Sequence, residues 1–95
     1  MQLLGLPVLE SLKLRHPPAR PAADSWRSEV AAANWRGPQD IKNRYAAASF
    51  LSDNRVVFNI KGNLYRIVTK VKYANQIVLV TWAGTHTDYD KLALA

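Results

Sequence analysis

The amino-acid sequence predicts an α+β domain with two N-terminal helices, a small antiparallel β-sheet and a short C-terminal helix. Three observations point there. Ala- and Pro-punctuated segments with helical spacing fill the first half of the chain. Beyond residue 48 the sequence turns β-branched and alternating. Helices followed by strands, rather than helices between strands, is the segregated order of an α+β fold. With 95 residues there is room for one domain and one modest core, so residues 1–95 are read as a single domain.

The first helix is expected over residues 7–15, where Val8, Leu9 and Leu12 fall at near-helical spacing. It stops at His16-Pro17-Pro18 because proline disfavours the helical region for its predecessor. A second helix over residues 21–35 places Trp26 and Val30 on one face and Arg27 and Glu29 on the other. Gly37-Pro38 breaks it, and residues 38–42 read as a helical turn leading to Tyr45.

From Ser49 onward the turn signals Asp53-Asn54, Lys61-Gly62 and Ala74-Asn75 divide a strand meander. A two-residue loop at Lys61-Gly62 pairs Ile60 with Asn63, Phe58 with Tyr65 and Val56 with Ile67. The same arithmetic at Ala74-Asn75 pairs Val71 with Val78, Thr69 with Val80 and Ile67 with Trp82, which makes this face the core. The other face carries Arg55, Val57, Asn59, Arg66, Val68, Lys70, Lys72 and Leu79, cations mixed with aliphatic residues. Thr87 with Asp90 reads as a capping-box variant opening the last helix, with His86 just before it.

Composition narrows the chemistry. Hydrophobic residues make up 48% of the chain and charged residues 21%, a globular balance far from that of disordered segments. There is no Cys, which removes disulfides, zinc ribbons, thiol nucleophiles and iron–sulfur ligation. The two His, His16 and His86, are too far apart to suggest a metal cage, so metal and cofactor are both expected to be absent. No apolar run approaches the roughly 20 residues of a membrane span. The N-terminal apolar stretch, lacking a basic residue before it and interrupted by Glu10, does not read as a signal peptide. A cytoplasmic location and no membrane partner are the expectation.

Thirteen Lys and Arg against seven Asp and Glu give a net charge of +6, a bias towards phosphate backbones, acidic proteins or anionic lipid. Between Asn54 and Thr87 lie Arg55, Lys61, Arg66, Lys70 and Lys72 with no Asp or Glu. On one sheet face they would neutralise several phosphates; the plainer alternative is a solvated edge whose lysines deter strand pairing. Arg66, expected mid-strand opposite Val57, calls for a groove or a partner carboxylate. His86 lies where a strand meets a helix N-terminus, and Tyr89, three residues on in the first helical turn, faces the same region or packs the helix onto the sheet. Such residues suit RNA cleavage by its own 2′-hydroxyl, which asks the protein only for proton transfer and charge stabilisation. A carboxylate pair, a Ser-His-Asp arrangement, a Walker loop and a dinucleotide fingerprint are missing from the sequence.

The run Asn54-Arg55-Val56-Val57-Phe58-Asn59-Ile60-Lys61-Gly62-Asn63-Leu64-Tyr65-Arg66, together with Gly84-Thr85-His86-Thr87-Asp88-Tyr89-Asp90, resembles the HigB-type toxins of the RelE superfamily. Trp35, Pro38, Asp40, Lys42 and Tyr45 extend the similarity, which spans residues 26–90. The resemblance implies helices packed on a small antiparallel sheet. It also implies ribosome-dependent cleavage of mRNA in the A site and neutralisation by a HigA-like helix-turn-helix antitoxin. By transfer, His86 and Tyr89 are catalytic candidates, with Arg66 and Lys61 as phosphate ligands. Arg55, Asn59, Asn63, Lys70 and Lys72 are the RNA-binding candidates. The first 20 residues depart from the family pattern: the basic opening strand expected of relatives is here Met1-Gln2-Leu3-Leu4-Gly5. The competing readings are a catalytically silent module that binds RNA or an antitoxin, and a structural adaptor whose half-apolar face docks a partner helix.

Overall fold

A computed structural model describes residues 1–92 and has the expected α+β architecture. In chain order the elements are β1 (Gln2–Leu4), α1 (Leu6–Arg15), a 3₁₀ turn (Pro17–Ala19), α2 (Arg20–Ala32), α3 (Pro38–Arg44), β2 (Ser49–Leu51), β3 (Arg55–Ile60), β4 (Tyr65–Lys72), β5 (Ile77–Thr85) and α4 (His86–Asp90). The sheet has the order β1-β5-β4-β3-β2, antiparallel from β2 to β5. No helix among the described residues is long and apolar enough to cross a membrane.

The antiparallel meander gains an edge that the sequence reading did not include: β1 pairs with β5 in parallel, Leu3 opposite Val78. The Met1 nitrogen donates to the Ala33 carbonyl just past α2 (2.5 Å), anchoring the strand. Gly5 then turns the chain into α1 with φ 76°, passing so close to β5 that a Cβ there would lie 2.2 Å from the Val80 carbonyl oxygen. Only glycine combines that dihedral with that approach.

Pro7, Pro18 and Pro21 all sit at or near helix starts, where a missing N–H costs nothing. The second helix ends at Ala32 rather than at Trp35. Trp35 instead stacks on Phe58, with ring centroids 5.9 Å apart, while Trp26 and Tyr45 meet Phe58 edge to face. Phe58 is thus the hub of a core completed by Leu9, Leu12, Val30, Ile67, Val71, Val78 and Val80. Deleting such a ring typically costs about 3–5 kcal/mol.

Two registers differ from the sequence reading. The β3–β4 loop has four residues, 61–64, so Ile60 pairs with Tyr65, Phe58 with Ile67 and Arg66 with Asn59, not Val57. A shift of two leaves every side chain on its face, so hydrophobic alternation is blind to it. The longer loop buries Tyr65 opposite Ile60 and leaves Asn63 exposed. The β4–β5 register holds at Val71 with Val78 and Thr69 with Val80, then breaks at a bulge between Val68 and Thr69. Thr81 is the extra residue; Trp82 consequently faces Val68, and Ala83 takes the place opposite Ile67. Trp82 therefore leaves the core face on which the sequence placed it. The last helix likewise starts one residue early: His86 is its first residue, and its cap is Thr85, whose hydroxyl accepts from Asp88 N–H (3.1 Å), not Thr87.

Candidate functional site

Helices cover one face of the sheet, and α4 closes one end of the other. There the Leu64 carbonyl accepts a hydrogen bond from His86 N–H (3.0 Å), pinning the first turn of α4 to the β3–β4 loop. Arg66 rises beside it from β4, half-buried, opposite Gly84 on β5. Its Nη1 donates to the Asn63 carbonyl (2.9 Å), and its guanidinium carbon lies 5.8 Å from the Tyr89 ring centroid. Among the described residues the remaining donors of the fork have no hydrogen-bond partner, so they can meet an anion in the planar geometry that suits phosphate.

Tyr89 also stands 6.1 Å from the Trp82 ring, so Trp82, Tyr89 and Arg66 follow one another as a row of neighbours at the end of the sheet. Gly84 makes that row possible. A Cβ at this position would lie 2.7 Å from the tip of the Trp82 indole. His86 is exposed, with Nδ1 3.6 Å from an Asp90 carboxylate oxygen one turn on. That separation is too long for a hydrogen bond, but it pairs the two charges whenever the imidazole is protonated.

The structure sets Arg66 against Tyr89, with His86 on the same short helix, and distributes the other candidates elsewhere. The Lys61 ammonium donates to the Pro18 carbonyl (3.1 Å), towards the helical side. Asn59 neighbours Arg66 in the register and ties β3 to the Ala47 carbonyl (3.1 Å). Asn63 contributes its carbonyl to Arg66. Arg55 is bonded to Ser52 at the far end of β3, opposite Lys70. Lys70 is four residues from Arg66, roughly 13 Å along the strand. With Lys72, Leu4, Ile77 and Leu79 it surrounds a small apolar slot of about 80 Å³. The five cations therefore do not form one cluster: Arg66 lies at the α4 end, and Arg55, Lys70 and Lys72 at the other.

Three residues of this region escaped the sequence reading. Trp82 was assigned to the core. Asp90 was weighed only as a cap. Arg15, which donates to the Ala83 carbonyl (2.9 Å), carried no signal beyond its charge. Among the described residues no three His, Cys, Asp or Glu gather as a metal site would require.

Chemically, the α4 end offers a guanidinium beside a phenol, with an imidazole exposed on the same short helix, residue types able to stabilise an anion and transfer protons. A family model described as the HigB toxin, the RelE-like toxic component of a toxin–antitoxin system, matches residues 19–92. No curated protein matches the chain.

Proposed function

We propose, on the premise that this chain belongs to the HigB toxin family, the RelE-like toxic component of a toxin–antitoxin system, that it is a metal-independent mRNA interferase acting on the ribosome. The observation that carries the reading is the contact of Arg66 with Tyr89 where β4, β5 and α4 meet, beside His86 at the start of α4. In this chemistry the RNA's own 2′-oxygen attacks the adjacent phosphorus. The P–O5′ bond breaks, leaving a 2′,3′-cyclic phosphate and a 5′-hydroxyl. One proton leaves the 2′-hydroxyl and one reaches the 5′-oxygen, and His86 with Tyr89 serves these two transfers. Arg66 holds the non-bridging oxygens as charge grows on them.

Arg55, Asn59, Asn63, Lys70 and Lys72 extend the contact along the open face, and Lys61 joins when its ammonium leaves Pro18 for a phosphate. A net charge of +6 favours attraction to ribosomal RNA, and action on the ribosome would be cytoplasmic. Membership of a toxin–antitoxin family implies an antitoxin partner, and a HigA-like helix-turn-helix protein is the expected one.

The test is cleavage of translated message, mapped by primer extension after brief expression of wild type and His86→Ala, with folding checked by circular dichroism. His86 is exposed on a short helix, so its removal is expected to leave the fold intact and to lower cleavage by about 100-fold or more. Equal cutting by both would remove His86 from the site. No cutting by folded wild type would make the chain a binding module instead.

A further inference from the structure

Beyond Leu79, β5 has no strand on the side away from β4: β1 ends there, and α1 takes its place along the rest of that edge. Between them runs a groove of about 500 Å³ whose walls include Val8, Ser11 and Arg15 from α1 and Thr81 and Trp82 from β5. We infer that this groove, with the Trp82 indole as its platform, seats an unpaired nucleobase of the RNA substrate. The inference rests on the interferase reading and adds where one base of the message is held.

Four observations converge on a base rather than a phosphate or an apolar side chain. The bulge at Thr81 turns Trp82 away from the core, leaving it half-buried, whereas the other two tryptophans are 2% and 6% exposed. A large aromatic ring kept partly in water is a stacking surface for any base, because every base has a π-face. Across from it, Arg15 is held in place by bonds to the Ala83 carbonyl (2.9 Å) and the Ser11 hydroxyl (3.3 Å). Its remaining N–H groups supply donors, and the Thr81 hydroxyl, whose proton goes to the Val68 carbonyl (3.2 Å), keeps lone pairs to accept with, so the groove offers the hydrogen-bonding partners that a base edge needs and a hydrocarbon does not.

The groove is also continuous with the catalytic row. Trp82 is 6.1 Å from Tyr89, and Tyr89 is 5.8 Å from Arg66, so a base on the indole would be a near neighbour of the nucleotide whose phosphate meets the guanidinium. Stacking on Trp82 would thus set which base stands next to the cut as well as strengthen binding.

The experiment maps cut sites and rates on translated messages for wild type, Trp82→Ala, Trp82→Phe and Val8→Trp, with thermal unfolding of each variant measured alongside. Val8→Trp fills the groove from α1 and leaves the indole of residue 82 in place, so the test does not depend on one variant folding. Trp82→Ala is expected to cut about tenfold or more slowly and with a flattened base preference at one position beside the cut. Trp82→Phe keeps both rate and preference, and Val8→Trp loses the preference. If folded Trp82→Ala and Val8→Trp cut at the same bases and the same rate as wild type, the base seat is overturned while the interferase reading stands. If wild type cuts nothing, the interferase reading itself falls and the base seat with it, a distinguishable result.

Discussion

Arg66 combines properties that pull against each other: it is half-buried near the start of β4 rather than in mid-strand, yet among the described residues one nitrogen alone is spent, on the Asn63 carbonyl. A guanidinium so placed keeps its direction without surrendering its remaining donors. Arg66→Ala is therefore expected to slow message cleavage by about 100- to 1000-fold, the usual loss for one preorganised donor. Arg66→Lys, which keeps the charge but not the fork, is expected to recover only part of it. Unfolding midpoints of both variants should stay close to wild type; a large drop would instead make Arg66 a structural residue. At this scale the sequence was readable where a residue type was out of place. A cation inside an alternating strand and a histidine beside a helix start stand out against their neighbours. Trp82 did not, because a tryptophan in an apolar strand looks like core, and one inserted residue at Thr81 decides which face it takes.

Among the elements, α2 is fastened along both flanks by charge. Lys13 of α1 is buried at 8% exposure and bonded to Asp24 (2.6 Å) and Glu10 (2.8 Å), which raises its pKa above the ordinary lysine value. On the other flank Glu29 accepts from the Tyr45 hydroxyl and pairs with Arg44; the Tyr45 hydrogen bond above all lowers the Glu29 pKa. Burial, and then Glu29, push the Tyr45 phenol well above its usual range. The signs follow from linkage. The depressed Glu29 stabilises the fold above its unfolded pKa of about 4.3 and loses that contribution as pH falls through its folded pKa. The raised Lys13 and Tyr45 stabilise it below about 10 and lose that contribution as pH rises further. Urea unfolding at pH 3, 7 and 11 should therefore show greatest stability in the middle. Tyr45→Phe should shrink the difference between pH 3 and 7; unchanged acid sensitivity would show that Glu29 is not held by this phenol. These helices were legible from Trp26, Val30 and the prolines, since a 3.6-residue period needs several turns and had them. β1 was not: three residues give no period, and its partner lies more than 70 residues away in sequence.

For the molecule as a whole, charge and shape divide the work of binding. Under the proposed function the cations of the open face, Arg66 at one end and Lys70 with Lys72 at the other, would act on phosphates through a field that salt screens, whereas stacking on an indole is nearly indifferent to salt. Each phosphate neutralised on single-stranded RNA contributes a slope of roughly −0.7 in the logarithm of affinity against the logarithm of salt concentration. Three such contacts give a slope of about −2. A labelled short single-stranded RNA followed by fluorescence anisotropy across a salt series measures it. Lys70→Gln is expected to weaken all sequences alike and reduce the slope by about 0.7. Trp82→Ala is expected to weaken binding without changing the slope. The two variants therefore separate the terms: a slope unmoved by Lys70→Gln would return that lysine to the solvated edge, where its role is to deter strand pairing. The net charge of +6 suggested a polyanion from the sequence alone, but it could not reveal this division. Charge count is a property of composition, whereas the separation of Lys70 from Arg66 and the turning of Trp82 towards the same open face depend on register and on one bulge.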